Sequence, residues 1–365
     1  MSWGNPQSLA EHICIKLQMP FTAIYAGVSS ALQTAYKKQS LASRKLSKPV
    51  ISIGNLTVGG TGKTPITIDL ASTLISHNIK VGILSRGYKR KKSESITVVS
   101  DGQGNISSLE EAGDEPLMMA QALPQAVVIV GQNRYLSGQK AIDEFHSQVL
   151  LLDDGFQHWR LERNYDIVLL DYNDEPWNDN LLPAGRLRES LSALQRANHV
   201  IITKIPINYD LGKIERFEKL ISKYNQHCGV SLCRFMPSSI RQLIGDQWQD
   251  FSIDKLKGLP VTVFCGLAKP ESFCDSLEEL SANIVKTISY PDHHIYSDKD
   301  IDYLEQARIK SGAEFFVTTR KDLIKLQGST IKSKILAINL STEWITNELN
   351  IISLVKSPTL LNKTT

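Results

Sequence analysis

Val50-Ile51-Ser52-Ile53-Gly54-Asn55-Leu56-Thr57-Val58-Gly59-Gly60-Thr61-Gly62-Lys63-Thr64-Pro65 is the stretch that decides the fold. A short β-branched apolar run enters a loop carrying Gly59, Gly60 and Gly62, and Lys63-Thr64 then opens an apolar-periodic segment. That is the strand–loop–helix order of a phosphate-binding P-loop. Across Thr57, Val58, Gly59, Gly60, Thr61 and Gly62 the backbone can curl its N–H groups toward phosphate oxygens. Lys63 can reach the β- and γ-phosphates, and the Thr64 hydroxyl suits Mg²⁺. The positive end of the following helix dipole adds to the same spot. The strict pattern has glycine where this chain has Thr57, so an ordinary glycine-rich turn is the competing reading; the flanking strand and helix argue against it.

Outward from the loop, apolar strands alternate with helical segments. Val81–Leu84, Val127–Val130, Val149–Asp154, Ile167–Asp171 and His199–Lys204 read as continuous buried strands. Such runs mean a parallel sheet covered on both faces, with ligands at the carboxyl ends of its strands. Thr64, Arg86, Asp153, Asp154 and Asp171 fall there. Residues 228–259, with Pro237, Gly245 and Gly258, look less regular and suggest a boundary before a second, smaller αβ pattern that ends near Ile338. The expected fold is therefore α/β: a P-loop NTPase-type, mostly parallel sheet with helices on both faces. A smaller C-terminal α/β subdomain and an N-terminal amphipathic helix complete it. The expected divisions are residues 1–48, 49–227, 228–357 and a tail at 358–365.

A chain of 365 residues with 42% hydrophobic and 22% charged residues can bury a large core and has a soluble globular balance. Its net charge of +3 is too small to argue for nucleic acid. The five cysteines form no CxxC pair, which suits a reducing compartment and small apolar packing roles, not zinc. No secretory signal and no membrane-spanning run is expected. Residues 8–36 read as helix, with Pro20 able to sit in a first turn and Phe21, Ile24, Tyr25, Val28, Leu32 and Tyr36 on one face. Lys37, Lys38, Arg44, Lys45 and Lys48 follow. The pattern suits either a helix packed on its own domain or one lying on an anionic membrane surface.

Several polar residues fit chemistry as well as structure. Leu151-Leu152-Asp153-Asp154-Gly155 is a hydrophobic strand ending in acid, the Walker-B arrangement that serves Mg²⁺, although such an acid can also cap a turn. Gln157 and His158 can line the same cleft. Asp114, in Gly113-Asp114-Glu115-Pro116, reads from pattern alone as a helix N-cap, and alternatively as a base for an attacking hydroxyl. His293 and His294 are surface-loop histidines unless a carboxylate partner makes one a proton relay. Arg186, Arg188 and Glu189 sit in a loop suited to phosphoryl charge or simply to solvent.

Taken together and in this order, the P-loop stretch, Ser85-Arg86-Gly87-Tyr88, Gly113-Asp114-Glu115-Pro116, Asp153-Asp154-Gly155-Phe156-Gln157-His158, Leu182-Pro183-Ala184-Gly185 with Leu187-Arg188-Glu189, and Asp292-His293-His294 resemble the tetraacyldisaccharide 4'-kinases. These are membrane-associated lipid A kinases of Gram-negative bacteria. Thr318-Thr319-Arg320-Lys321-Asp322 also resembles a family segment. The resemblance implies transfer of the ATP γ-phosphate to the 4'-hydroxyl of an acylated glucosamine disaccharide 1-phosphate. It places the work on the cytosolic face of the inner membrane, with Mg²⁺; a monomer with no nucleic-acid partner is also expected. It makes Asp114 the base, paired with His293. Thr64, Asp154 and Glu189 serve metal, and Arg86, Gln157 and Arg188 serve phosphate or substrate. It also turns the N-terminal helix into the membrane and acyl-chain element. Two departures stand out: proline is expected at Arg186 and an acid at Arg320. The main rival is a switch ATPase or GTPase of the partitioning or metallochaperone sort. Those usually carry lysine where this chain has Val58, and no Asn-Lys-x-Asp segment is visible.

Overall fold

The computed structural model describes residues 9–87, 96–245, 247–267, 270–292, 294–326, 328–346 and 348–357, with side chains from residue 13 onward. Positions 88–92 of the basic loop, His293 and the tail after residue 357 lie outside the described residues. In chain order the elements begin with α1 (Leu9–Lys37), β1 (Val50–Asn55), α2 (Lys63–Ser76), β2 (Val81–Ser85), β3 (Ile96–Asp101), α3 (Leu109–Ala112), α4 (Asp114–Ala122), β4 (Val127–Gly131) and α5 (Arg134–Asp143). Next come β5 (Val149–Asp153), β6 (Tyr165–Asp171), β7 (His199–Thr203), α6 (Leu211–Tyr224), β8 (Gly229–Ile244) and β9 (Gln247–Ser252). The chain closes with β10 (Pro260–Cys265), α7 (Pro270–Glu279), β11 (Asn283–Ser289), α8 (Asp298–Ser311), β12 (Phe315–Thr319), α9 (Arg320–Lys325), β13 (Ile335–Thr346) and α10 (Ile351–Lys356).

All strands join one 13-stranded sheet, ordered β11-β10-β12-β13-β8-β7-β6-β1-β5-β2-β4-β3, with β9 added beside β8. Pairing is parallel except at β3–β4, β8–β13 and β8–β9. The expected α/β architecture is what forms, because β1, β2, β4, β5 and β7 are buried at every position and so need cover on both faces. Ile66, Leu70 and Leu74 of α2 pack on Ile51, Ile53 and Leu151 on one face. On the other, Ile214, Phe217 and Ile221 of α6 pack on Val168, Leu170, Val200 and Ile202.

Three expectations change. Residues 228–259 are mostly regular: β8 runs for 16 residues and pairs along most of its length with β13. Pro237 had made the segment look broken. It sits opposite a register shift between Asn339 and Leu340, and among the described residues neither β7 nor β9 pairs with β8 at that level. A missing N–H is tolerated there. Pro20 is not in a first turn but inside the 29-residue α1, on its exposed side. Finally, the apolar face expected along α1 splits: Tyr25 turns inward and Tyr36 stacks on Trp159, while its aliphatic and Phe21 positions face away from the protein. Leu17, Phe21, Ile24 and Val28 are all more than 60% exposed. The polar face is the one that docks: Thr22 accepts from the Ala184 N–H, Tyr25 donates to the Arg188 carbonyl, and Gln33 donates to Glu189. No described helix is long and apolar enough to cross a membrane.

Asp69 of α2 accepts a 3.1 Å hydrogen bond from the Trp344 indole of β13. Burial, aided by Glu348 and opposed by the Trp344 bond, pushes its pKa up from 3.8 to about 6. A raised folded-state value stabilises the fold at low pH, and that contribution is lost as pH rises through about 6. Asp69→Asn is therefore expected to raise Tm at about pH 8 and to leave it unchanged near about pH 4; thermal melts across that range check both ends.

Candidate active site

β1 lies between β5 and β6, and its register sets Ile53 beside Asp153. The loop after β1 and the acid pair after β5 therefore emerge side by side. A Cβ on Gly54 would lie 2.5 Å from the Phe156 Cβ, so only glycine lets the chain after Asp154 cross the end of β1. The loop is tied down by its backbone. Val58 N donates to the Arg186 carbonyl at 2.8 Å, and Arg188 N donates to the Leu56 carbonyl at 2.7 Å. Thr203 Oγ1 donates to the Thr61 carbonyl at 2.8 Å, and Gln157 Nε2 donates to the Asn55 carbonyl at 2.9 Å. Gly62 then takes φ +87° as N-cap of α2, where a Cβ would strike the Phe235 ring at 2.4 Å. Position 62 needs glycine on both counts.

The charges converge on Asp154. Lys63 Nζ stands 3.5 Å from its Oδ1, and the Arg188 guanidinium reaches both oxygens at 3.0 and 2.9 Å. Burial works to push the Asp154 pKa up, yet Lys63 and Arg188 hold it below the ordinary carboxylate value. Asp153 is the opposite case. Burial raises it, Glu115 and Asp154 add to the rise, and Lys63 and a 3.0 Å bond from Ser85 oppose it. Thr64 is buried at the start of α2.

The structure separates the two arginines of the Arg186–Arg188 loop. Arg186 is spent on Asp174 and Asp179, at 2.6 and 2.9 Å, which leaves Arg188 as the one facing the P-loop. Glu189 is buried, with one oxygen 2.7 Å from Arg196 and the other 2.8 Å from Gln33, so it braces α1 and the Phe156 turn. Arg86 is exposed just past β2. Gly113, not Asp114, is the N-cap of α4, so the plain capping reading of Asp114 falls. The Asp114 carboxylate instead lies 3.6 Å from Lys325 Nζ of α9.

Three residues of this site escaped sequence reasoning. Lys204, in the left-handed region at φ +57°, bonds the Gly60 carbonyl and pairs with Asp171 at 2.6 Å. Arg134 is buried, and its pKa falls to about 10 through burial and then Arg86, against the pull of Asp153 and Asp154. Lys325 is the third. A Thr-Lys closing an apolar strand was the available signal for Lys204; nothing local marks Arg134 or Lys325.

Mg²⁺ fits these donors. Asp153 Oδ1, Thr61 Oγ1 and Asn55 Oδ1 are buried oxygens without hydrogen-bond partners. Among the described residues no cluster of three or more His, Cys, Asp or Glu is set to hold a metal by itself. Few protein donors beside a phosphate site are what a Mg²⁺ shared with nucleotide oxygens requires.

A family profile described as Tetraacyldisaccharide-1-P 4'-kinase matches residues 15–356. The Tetraacyldisaccharide 4'-kinase of Pelobacter propionicus is 37% identical over 325 residues, covering 89% of this chain and 87% of that protein. The protein of the same name from Halothermothrix orenii is 33% identical over 368 residues, covering 99% and 95%. Among solved structures, LpxK from Aquifex aeolicus in complex with ATP superposes with a TM-score of 0.75 at 33% identity, covering 96% of this chain and 99% of that one.

The geometry at Gly62 yields a direct test. Gly62→Ala must displace the Phe235 ring or unwind the left-handed turn, and so spoil the loop's N–H cradle. Its dissociation constant for ATP should rise by about tenfold or more, which corresponds to about 1.4 kcal/mol. Calorimetric titration measures it; unchanged affinity would mean that phosphate does not sit in this loop.

Proposed function

The chain belongs to the tetraacyldisaccharide-1-P 4'-kinase family, and on that premise we propose how its residues carry the γ-phosphate of ATP to the 4'-hydroxyl of a tetraacylated disaccharide 1-phosphate. The observation that carries the reading is the convergence of Lys63 and Arg188 on Asp154 at the mouth of a P-loop. Both cations are set to exchange a carboxylate for phosphate oxygens. Thr57, Val58, Gly59, Gly60, Thr61 and Gly62 supply the N–H cradle, and Lys63 and Thr64 hold the β- and γ-phosphates. Arg86 and Gln157 stand at the rim and floor of the same opening.

Mg²⁺ would be held by Thr64 and Asp154, with Glu189 in support because Arg196 and Gln33 already engage its oxygens. When bound it neutralises phosphate charge and orients the leaving group. The 4'-oxygen forms a bond to the γ-phosphorus as the bond to the β,γ-bridging oxygen breaks, and ADP leaves with that electron pair. The hydroxyl proton passes to Asp114, which His293 partners. A sugar hydroxyl is a weak acid, so a base at this point is useful, while positioning and charge supply most of the acceleration.

The outward apolar stripe of α1 supports a membrane-facing role. In this reading residues 1–48 rest on the cytosolic face of the inner membrane and take the acyl chains. Residues 49–227 form the kinase core, residues 228–357 the smaller α/β unit, and the enzyme works as a monomer. A switch ATPase or GTPase has less support, since it would not need an apolar helix face turned to solvent.

ATP consumption by purified protein should depend on tetraacyl disaccharide 1-phosphate presented in detergent micelles; rapid turnover indifferent to the lipid would sink the kinase reading. Asp114→Ala should lower kcat by about 10² to 10⁴ while leaving ATP affinity nearly unchanged. Collapse of ATP affinity with turnover of the bound ATP intact would make Asp114 a ligand instead of the base. Deleting residues 1–37 should release the protein from anionic vesicles in a flotation assay.

A further inference from the structure

The segment Thr318-Thr319-Arg320-Lys321-Asp322 resembles a family segment yet takes no part in the phosphate cradle. In the fold it is the end of β12 and the first turn of α9, and α9 packs against α4, the helix that Asp114 begins. Lys325, one turn further on, is buried with its side chain only 4% exposed. Its Nζ stands 3.6 Å from Asp114 Oδ2 and 3.5 Å from Asp322 Oδ1. Asp322 is itself fully buried and fixed through its other oxygen, which accepts from Gly266 N at 3.1 Å and Thr319 Oγ1 at 2.8 Å. Asp322 is thus the anchor, Lys325 the strut and Asp114 the group supported.

The same short helix holds the histidine loop. Lys321 Nζ lies 2.7 Å from Asp292 Oδ1, and position 293 is the next in the chain. On the far side of that position, His294 pairs with Asp300 at 3.2 Å and stacks on Tyr290 with ring centroids 4.5 Å apart. One turn of α9 therefore engages Asp114 through Lys325 and Asp292 through Lys321.

We propose that Lys325 is a positioning residue for the phosphoryl transfer. Held by Asp322, it fixes the Asp114 carboxylate in place, oriented to accept the hydroxyl proton. The inference rests on Asp114 being the base. A buried ammonium needs its partners, and a base must be held in one orientation to act; a lysine between two carboxylates meets both demands. A purely structural strut between α4 and α9 is the competing account, and the two differ in kinetics.

The test uses the full chain with ATP and the lipid acceptor. Lys325→Met should lower kcat by about ten- to a hundredfold with KM for ATP within about twofold of the parent. Lys325→Arg, which keeps a cation between the carboxylates, should recover most of that loss. In the Asp114→Ala background Lys325→Met should cost little more, because the group it positions is gone. Lys325→Gln repeats the comparison should the Met variant be unstable. A kcat near the parental value per folded molecule, in Met or Gln, overturns the proposal, as does loss of the fold in both. If Asp114→Ala itself retains full kcat, the assignment of the base fails instead.

Discussion

The pairing of β8 with β13 is the constraint on which the rest depends. It is the longest ladder among the described residues, running antiparallel from Leu336↔Gln242 to Thr346↔Leu232. On one side β8 continues parallel into β7 and the P-loop half; on the other β13 continues parallel into β12 and the C-terminal half. Two αβ patterns that could have folded as separate bodies become one sheet. That continuity brings α9, hung from β12, against α4 across the join and sets Lys325 beside Asp114. Phe235 of the same β8 fills the space above Gly62, so the ladder also props the phosphate loop.

A second consequence concerns α1. An amphipathic helix on a globular protein ordinarily turns its apolar stripe inward. Here Thr22, Tyr25 and Gln33 point inward and bond to Ala184, Arg188 and Glu189. The helix is therefore held by specific polar contacts to the very segment that carries Arg188, while its apolar face stays free. The proposed acyl-chain element and a phosphate-facing arginine are in this way one hydrogen-bonded unit. Tyr25 bonds directly to the Arg188 carbonyl, so a shift of α1 would be felt at Asp154 through one residue.

Much of this was legible in the sequence because it is local. The P-loop, the acid-ended β5 and the buried strands each declare themselves within a window of some ten residues, by glycine spacing and by apolar continuity. What was not legible depends on contacts distant in sequence. The 228–259 segment looked broken because Pro237 is a local signal, and the register shift that accommodates it belongs to another strand. Asp114 looked like a cap because helix-start chemistry is local, whereas its ion pair comes from residue 325. Arg186 and Arg188 are indistinguishable as letters; the acids at 174 and 179 are what remove the first from the site. The direction of the α1 stripe likewise follows from where its polar residues find partners.

The charge balance at the loop supports a metal in the proposed reaction. Asp154 serves as counter-ion to both Lys63 and Arg188, and two cations on one carboxylate leave a net positive site that draws a polyphosphate. Once phosphate oxygens take those two cations, Asp154 would be left as a half-buried anion facing further anions. Its depressed pKa rests on those same two cations, so their departure leaves burial unopposed and the carboxylate in need of a new partner. A divalent cation resolves the conflict by bringing opposite charge to the freed carboxylate and to the incoming phosphates at once. The neighbouring Asp153, pushed the other way by burial, and its unpartnered Oδ1 lie directly behind that position in the strand. The two adjacent acids are thus tuned apart by their surroundings: one kept charged at the mouth, one held back in the core.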